Sequence, residues 1–151
     1  MTALKRISFE VLADPVPLAR PRFANGHAYL PERSRAYRKI LQDAAKRVMS
    51  HFEPLTGALY CRLAFYRKFK PTVRNFGDAD NLLKAVCDAF NGILFNDDSQ
   101  LVDISVMKFT DKAEPRVAVE FGTVDSKNLP PIEPSENPNV SVWKASLKIN
   151  P

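Results

Sequence analysis

Apolar and polar residues alternate from Lys5 to Leu12 around Ile7, Phe9 and Val11, a period of two that predicts a strand. Residues 14–33 are rich in Pro, Arg, Gly and Asn and read as a loop, with a short hairpin around Asn25–Gly26. From Ser34 to Phe52 the period changes to that of a helix, with Tyr37, Ile40, Leu41, Ala44, Val48, Met49 and Phe52 on one face and Ser34 as its N-cap. Leu59, Cys61, Leu63 and Phe65 then alternate as a second strand. A second helix spans Asp80 to Asn91, burying Leu83, Val86, Cys87 and Phe90 and ending at Gly92. Two more alternating runs follow, 101–109 with Val102, Ile104 and Val106 on one face, and 116–124 with Val117, Val119 and Phe121.

The order β-α-β-α-β-β predicts an α+β fold, a mixed β-sheet with two packed helices. A length of 151 residues fits one core, and 45% hydrophobic with 26% charged residues is a globular composition. We divide the chain into a domain over residues 1–125 and a Pro-rich C-terminal extension over 126–151, either partly disordered or docked through Trp143.

Nothing resembling a signal-peptide core or an 18-residue apolar run is present, so the reading is a cytoplasmic protein with no membrane partner. Cys61, Cys87, His27 and His51 lie too far apart in sequence for a structural zinc site, and any metal here is a hard cation held by carboxylates.

Charge is segregated along the chain. Residues 1–76 carry 15 Lys and Arg against 5 Asp and Glu, whereas residues 77–125 carry 4 against 10. An acidic centre in a basic frame suits an enzyme that holds a polyanion and needs cations at the scissile bond. The plainer alternative is that both blocks are solvated surface.

The acidic block contains the informative spacing. Asp78 and Asp80 are two apart, and Asp80, Lys84 and Asp88 follow at intervals of four on one helix face. Asp97 and Asp98 come after a short turn and can fold back, gathering three or four carboxylates and one ammonium. Phosphodiester cleavage uses such a set: carboxylates bind Mg2+, and a lysine stabilises charge on the phosphoryl group. The competing reading is N-capping by Asp78 and Asp80 and an ordinary Asp-Asp-Ser turn. An EF-hand is excluded, because the positions that need Gly and Glu hold Leu83 and Ala89. No Walker A, GxGxxG or GxSxG pattern occurs.

The run from Gly77 to Asp103, with D-x-D-N-x-x-K, D-A and D-D-x-Q, resembles the signature of RusA-type Holliday-junction resolvases. The upstream run ARPRFANGHAYLPERSRAYRK is similar to the R-P-R-x…G…Y-x-P…Y segment of bacterial and phage members. The resemblance covers roughly residues 5–122, and the link between helix and Asp-Asp is one residue shorter than in some members. It implies a Mg2+-dependent crossover junction endodeoxyribonuclease, with Mn2+ as a substitute, acting in recombination and repair as a homodimer on branched, four-way DNA. By residue, it implies Asp78, Asp80 and Asp98 as metal ligands and Lys84 as the catalytic lysine, with Asp88 and Asp97 supporting. Arg20 and Arg22 match its basic loop, and Arg67, Lys68, Lys70 and Arg74, which lead into the acidic run, join them as expected DNA contacts. The alternatives left open are a carboxylate-metal nuclease of another branched or flap substrate, an inactive junction-binding module, and a structural protein whose acids only cap helices.

Overall fold

The computed structural model describes residues 4–126 and 148–149. Strands β1 (Arg6–Val11), β4 (Leu59–Arg67), β5 (Leu101–Thr110), β6 (Arg116–Thr123) and β7 (Lys148–Ile149) form one mixed sheet in the order β5-β4-β6-β1-β7. β4 pairs antiparallel with β6 and parallel with β5, and β1 pairs antiparallel with β6 and parallel with β7. A small hairpin, β2 (Arg22–Ala24) and β3 (His27–Tyr29), stands apart as its own two-stranded sheet.

Helices α1 (Glu32–Val48) and α2 (Ala79–Phe90) share one core with the sheet. The period-two inward positions Ile7, Phe9 and Val11, Cys61, Leu63 and Phe65, and Val117, Val119 and Phe121 meet Tyr37, Leu41 and Ala44 of α1 and Leu82, Val86 and Phe90 of α2. Phe90 sits at 5.8 Å from both Phe9 and Phe121, ring centre to ring centre, so it ties α2 to two strands. Truncating a ring in such a place costs about 3–5 kcal/mol. The α+β class, the mixed sheet and the two packed helices are as expected from the sequence.

The differences are local. α1 starts at Glu32 with Pro31, not Ser34, at the N-cap, because Pro31 (φ −54°, ψ 150°) already sets the chain for entry and its carbonyl accepts from Arg35. Ser34 is instead buried in the first turn. The helix ends at Val48, short of Phe52, whose N–H turns back to the Met49 carbonyl. In α2 it is Leu82 that is buried while Leu83 is half-buried, since the core stripe runs through 82, 85, 86, 89 and 90.

β5 departs most. Alternation places Val102, Ile104 and Val106 on one face, but a register shift near the start of β5 and its place at the sheet edge leave Val102 and Ile104 exposed. Met107 and Phe109 are exposed as well, so of the apolar residues of β5 Leu101 and Val106 pack against the core. The expected docking of Trp143 lies outside the described residues, while Lys148–Ile149 of the same extension pair with β1.

Candidate active site

All the acids singled out in the sequence, with Lys84, lie on one connection, the crossover of residues 68–100 that joins the parallel strands β4 and β5. The crossover includes a 3-10 turn at Arg74–Phe76, continues through α2, and closes with a second 3-10 turn at Asp98–Gln100.

Asp78 occupies the N-cap position of α2, in an extended conformation, yet its side chain makes no capping hydrogen bond. Asp80 is in the first helical turn. Neither Asp78, Asp80 nor Asp98 joins a side-chain hydrogen bond or ion pair with the described residues. A capping role predicts bonds from backbone N–H groups to these carboxylates, so the capping explanation does not account for Asp78.

Asp97 behaves differently. Its carboxylate accepts from the Ser99 N–H and hydroxyl, and the Gln100 side chain accepts from the Asp97 N–H at 3.0 Å, a reciprocal capping box. The Ser99 bonds hold the Asp97 carboxyl below the usual range. Gln100 also donates to the carbonyls of Leu55 and Gly57, which fastens the turn carrying Asp98 to the segment just before β4.

Lys84 lies one turn along α2 from Asp80 and donates to Asp88 at 3.2 Å. Arg38 of α1 also approaches Asp88, at 3.8 Å. The Asp88 hydrogen bond and charge, with a smaller contribution from Asp98, push the Lys84 ammonium above its ordinary value, so Lys84 is cationic at neutral pH. Asp88 is therefore spent on aiming Lys84, and Asp97 on capping, while Asp78, Asp80 and Asp98 remain uncommitted.

The loop leading to Asp78 is braced from below. Arg67 donates to the carbonyls of Asn75 (3.1 Å) and Phe76 (2.6 Å), and Lys108 of β5 donates to that of Gly77 (2.9 Å). Phe76 is fully buried beneath the ammonium of Lys108, which stands 4.9 Å from the ring centre. Gly77 takes φ +99°, and a β-carbon there would collide with Pro17. Leu18 donates to the Asn81 carbonyl at 3.0 Å. The loop of residues 12–21 is thus locked against the start of α2.

Arg67 corrects one expectation. The sequence reading makes it a DNA contact, but it is 3% exposed, and besides the two carbonyls it makes a two-pronged pair with Asp14 at 2.9 and 3.1 Å. It lies at an inward position of β4, continuing Leu63 and Phe65, so its charge is spent inside. Arg20, Arg22, Lys68, Lys70 and Arg74 are exposed and pair with no carboxylate among the described residues.

The donor set of Asp78, Asp80 and Asp98 is made of hard oxygen ligands and fits Mg2+ in its chemistry. The expected gathering of acids is not preassembled: among the described residues no group of three or more His, Cys, Asp or Glu stands close enough to hold a metal ion. Like-charged carboxylates repel one another until a cation stands between them. Sequence reading missed Lys108, Asp14 and the exposed Phe23. Lys108 had a signal, because it extends the parity of Val102, Ile104 and Val106 and so places a charge on the helix-facing side.

The family model described as endodeoxyribonuclease RusA matches residues 13–121, which include every residue of this site. A protein of Bacillus subtilis (strain 168), described as uncharacterized protein YqaN, is 32% identical over 140 residues, covering 80% of this chain and 98% of that protein.

Proposed function

The chain belongs to the RusA family of endodeoxyribonucleases, and on that premise we propose that it is a Mg2+-dependent endonuclease resolving four-way DNA junctions by paired symmetric nicks. The observation that carries this reading is the contrast among the acids. The carboxylates of Asp88 and Asp97 have hydrogen-bond partners in the protein, whereas those of Asp78, Asp80 and Asp98 have neither hydrogen bond nor ion pair among the described residues. Carboxylates without a side-chain partner on a braced backbone add little to the fold and are free for a hard cation.

Asp78, Asp80 and Asp98 would hold the cation. When bound, Mg2+ supplies Lewis acidity and neutralising charge at the scissile phosphate. Lys84, aimed by Asp88, offers an ammonium to the charge that develops on the phosphoryl oxygens. Arg20, Arg22, Lys68, Lys70 and Arg74 hold the flanking phosphates without regard to sequence. Selectivity for a junction then comes from shape. Paired nicks on opposing strands require two equivalent sites, hence a homodimer. The long apolar edge of β5 supports a contact between two copies.

The test is cleavage of an end-labelled four-way junction with Mg2+, resolved on a denaturing gel beside linear duplex of the same arm sequence. The expected result is symmetric nicks in the junction alone. Equal cutting of the linear duplex, or tight junction binding with no cutting under Mg2+ or Mn2+, would sink the proposal.

A further inference from the structure

We propose that the β2–β3 hairpin is a base-stacking finger, in which Phe23 docks on nucleobases left open at a DNA branch point. This rests on the reading of the chain as a branched-DNA endonuclease and adds a second contact, made to bases and not to phosphates.

The hairpin has a defined tip. Asn25 (φ 52°) and Gly26 (φ 78°) both take positive φ, the two-residue turn whose twist matches its strands. The chain nevertheless invests no core in it. All six strand residues are exposed, and Phe23, at 78%, is the most exposed large hydrophobic residue among those described. A solitary two-stranded hairpin with an outward phenyl ring gains little by itself; its apolar surface is available to a partner.

The surroundings of Phe23 select the partner. The pairing Arg22↔Tyr29, Phe23↔Ala28 and Ala24↔His27 puts Arg22 with Tyr29 on one face and Phe23 with Ala28 on the other. Arg20 lies just upstream and is also exposed. The ring of Phe23 thus has a face to itself, with Arg20 and Arg22 beside it in the chain to meet backbone phosphates, and a ring and cations on one finger complement flat π-surfaces carried on a polyanion, the composition of single-strand and unstacked-base binding surfaces. An intact duplex offers no such face along its length, because each base is covered by its neighbours. A branch point does, wherever stacking between arms is interrupted.

Position agrees with this. The hairpin grows from the loop whose Leu18 bonds the Asn81 carbonyl, next to Asp80, and whose Pro17 abuts Gly77. The chain from Leu18 to Phe23 spans at most about 18 Å when extended. A base held by Phe23 is therefore within reach of a strand whose phosphate lies at the acidic site.

The test uses a four-way junction carrying 2-aminopurine at the branch point, titrated with the full chain in Ca2+ so that no cutting intervenes. The wild type should raise 2-aminopurine fluorescence about two-fold or more. Phe23→Ala should abolish that rise and weaken junction binding about 10-fold, the scale of one stacked base removed, without altering binding to linear duplex. Phe23→Trp should restore both. Because Phe23 is exposed, the melting temperature serves as a control that should not move. Wild-type binding and signal retained in Phe23→Ala would overturn this inference alone. A wild-type chain that binds junctions no better than duplex would overturn it together with the proposed function.

Discussion

The ammonium of Lys108 donates to the Gly77 carbonyl at 2.9 Å, one peptide before Asp78. It reaches across from β5 while Arg67, on neighbouring β4, takes the two preceding carbonyls. Two strands thereby hold three successive peptide groups and fix the direction in which Asp78 leaves the loop. Lys108→Met keeps the aliphatic stem over Phe76 and removes the donor. Junction cleavage should fall about 10-fold or more, the scale of a misplaced reacting group, with the Mg2+ midpoint raised and junction affinity retained. Mn2+ binding to the free protein, followed by electron paramagnetic resonance, should weaken in parallel. Normal Mn2+ affinity and a normal rate in Lys108→Met would remove Lys108 from the site.

Arg67 and the outer arginines should separate cleanly. Arg67→Ala leaves Asp14 without its two-pronged partner and two carbonyls without donors. The expected loss is about 3 kcal/mol of stability, the low end for a buried pair because Asp14 is partly solvated. Arg20→Ala with Arg22→Ala should instead leave the melting temperature near wild type. That double variant should flatten the dependence of log K on log[salt] by about 0.9 for each phosphate no longer neutralised. Binding titrations at several salt concentrations, with a melting curve for each variant, check both expectations. A double variant with the wild-type salt slope would take the hairpin's base out of the DNA interface.

Asp80→Asn, Asp78→Asn and Asp98→Asn should each abolish cleavage and leave junction binding unchanged or tighter, since each removes a charge that repels phosphate. Asp97→Asn is the internal control. Its carboxylate is used for capping, so the melting temperature should fall modestly with cleavage largely kept. Asp97 is held below its usual pKa, so its stabilising contribution is present above the ordinary carboxylate value and disappears as pH falls through the lowered one. Acid melting curves should therefore converge for wild type and Asp97→Asn. If Asp98→Asn cleaved normally while Asp97→Asn did not, the two assignments would have to be exchanged.

Lys84→Ala should lower the cleavage rate by about 10²-fold with little change in melting temperature, because the side chain is largely exposed. Asp88→Asn makes a finer prediction. Asp88 raises the pKa of Lys84, so the ammonium persists until pH climbs through that raised value. Without Asp88 the alkaline limb of the rate profile should shift to lower pH, while the neutral-pH rate falls less than in Lys84→Ala. Superimposable alkaline limbs would show that Lys84 does not carry the rate.

Much of the fold is legible in the chain itself. The period-two runs find β1, β4, β5 and β6, and the Asn-Gly pair finds the hairpin, because both are local signals with a single geometric meaning. The acids are visible as a spacing, but their division into used and unused is not. Whether Asp97 or Asp98 caps depends on which carboxylate meets the N–H of Ser99, a matter of one side-chain direction in one turn. Composition misleads at Arg67: it sits among Lys68, Lys70 and Arg74, and only its parity with Leu63 and Phe65 sets it apart. The exposure of Val102 and Ile104 is not legible at all, since alternation tells which residues share a face and not whether a helix covers it.

The crossover between β4 and β5 has a kinetic consequence. Parallel neighbours cannot be joined by a tight turn, so their pairing must wait until the whole connection has been laid over the sheet. Asp78, Asp80, Lys84 and Asp98 all travel on that connection. During refolding, the local structure of α1 can form while these four residues are still far from their final positions. Far-ultraviolet circular dichroism should then recover ahead of activity.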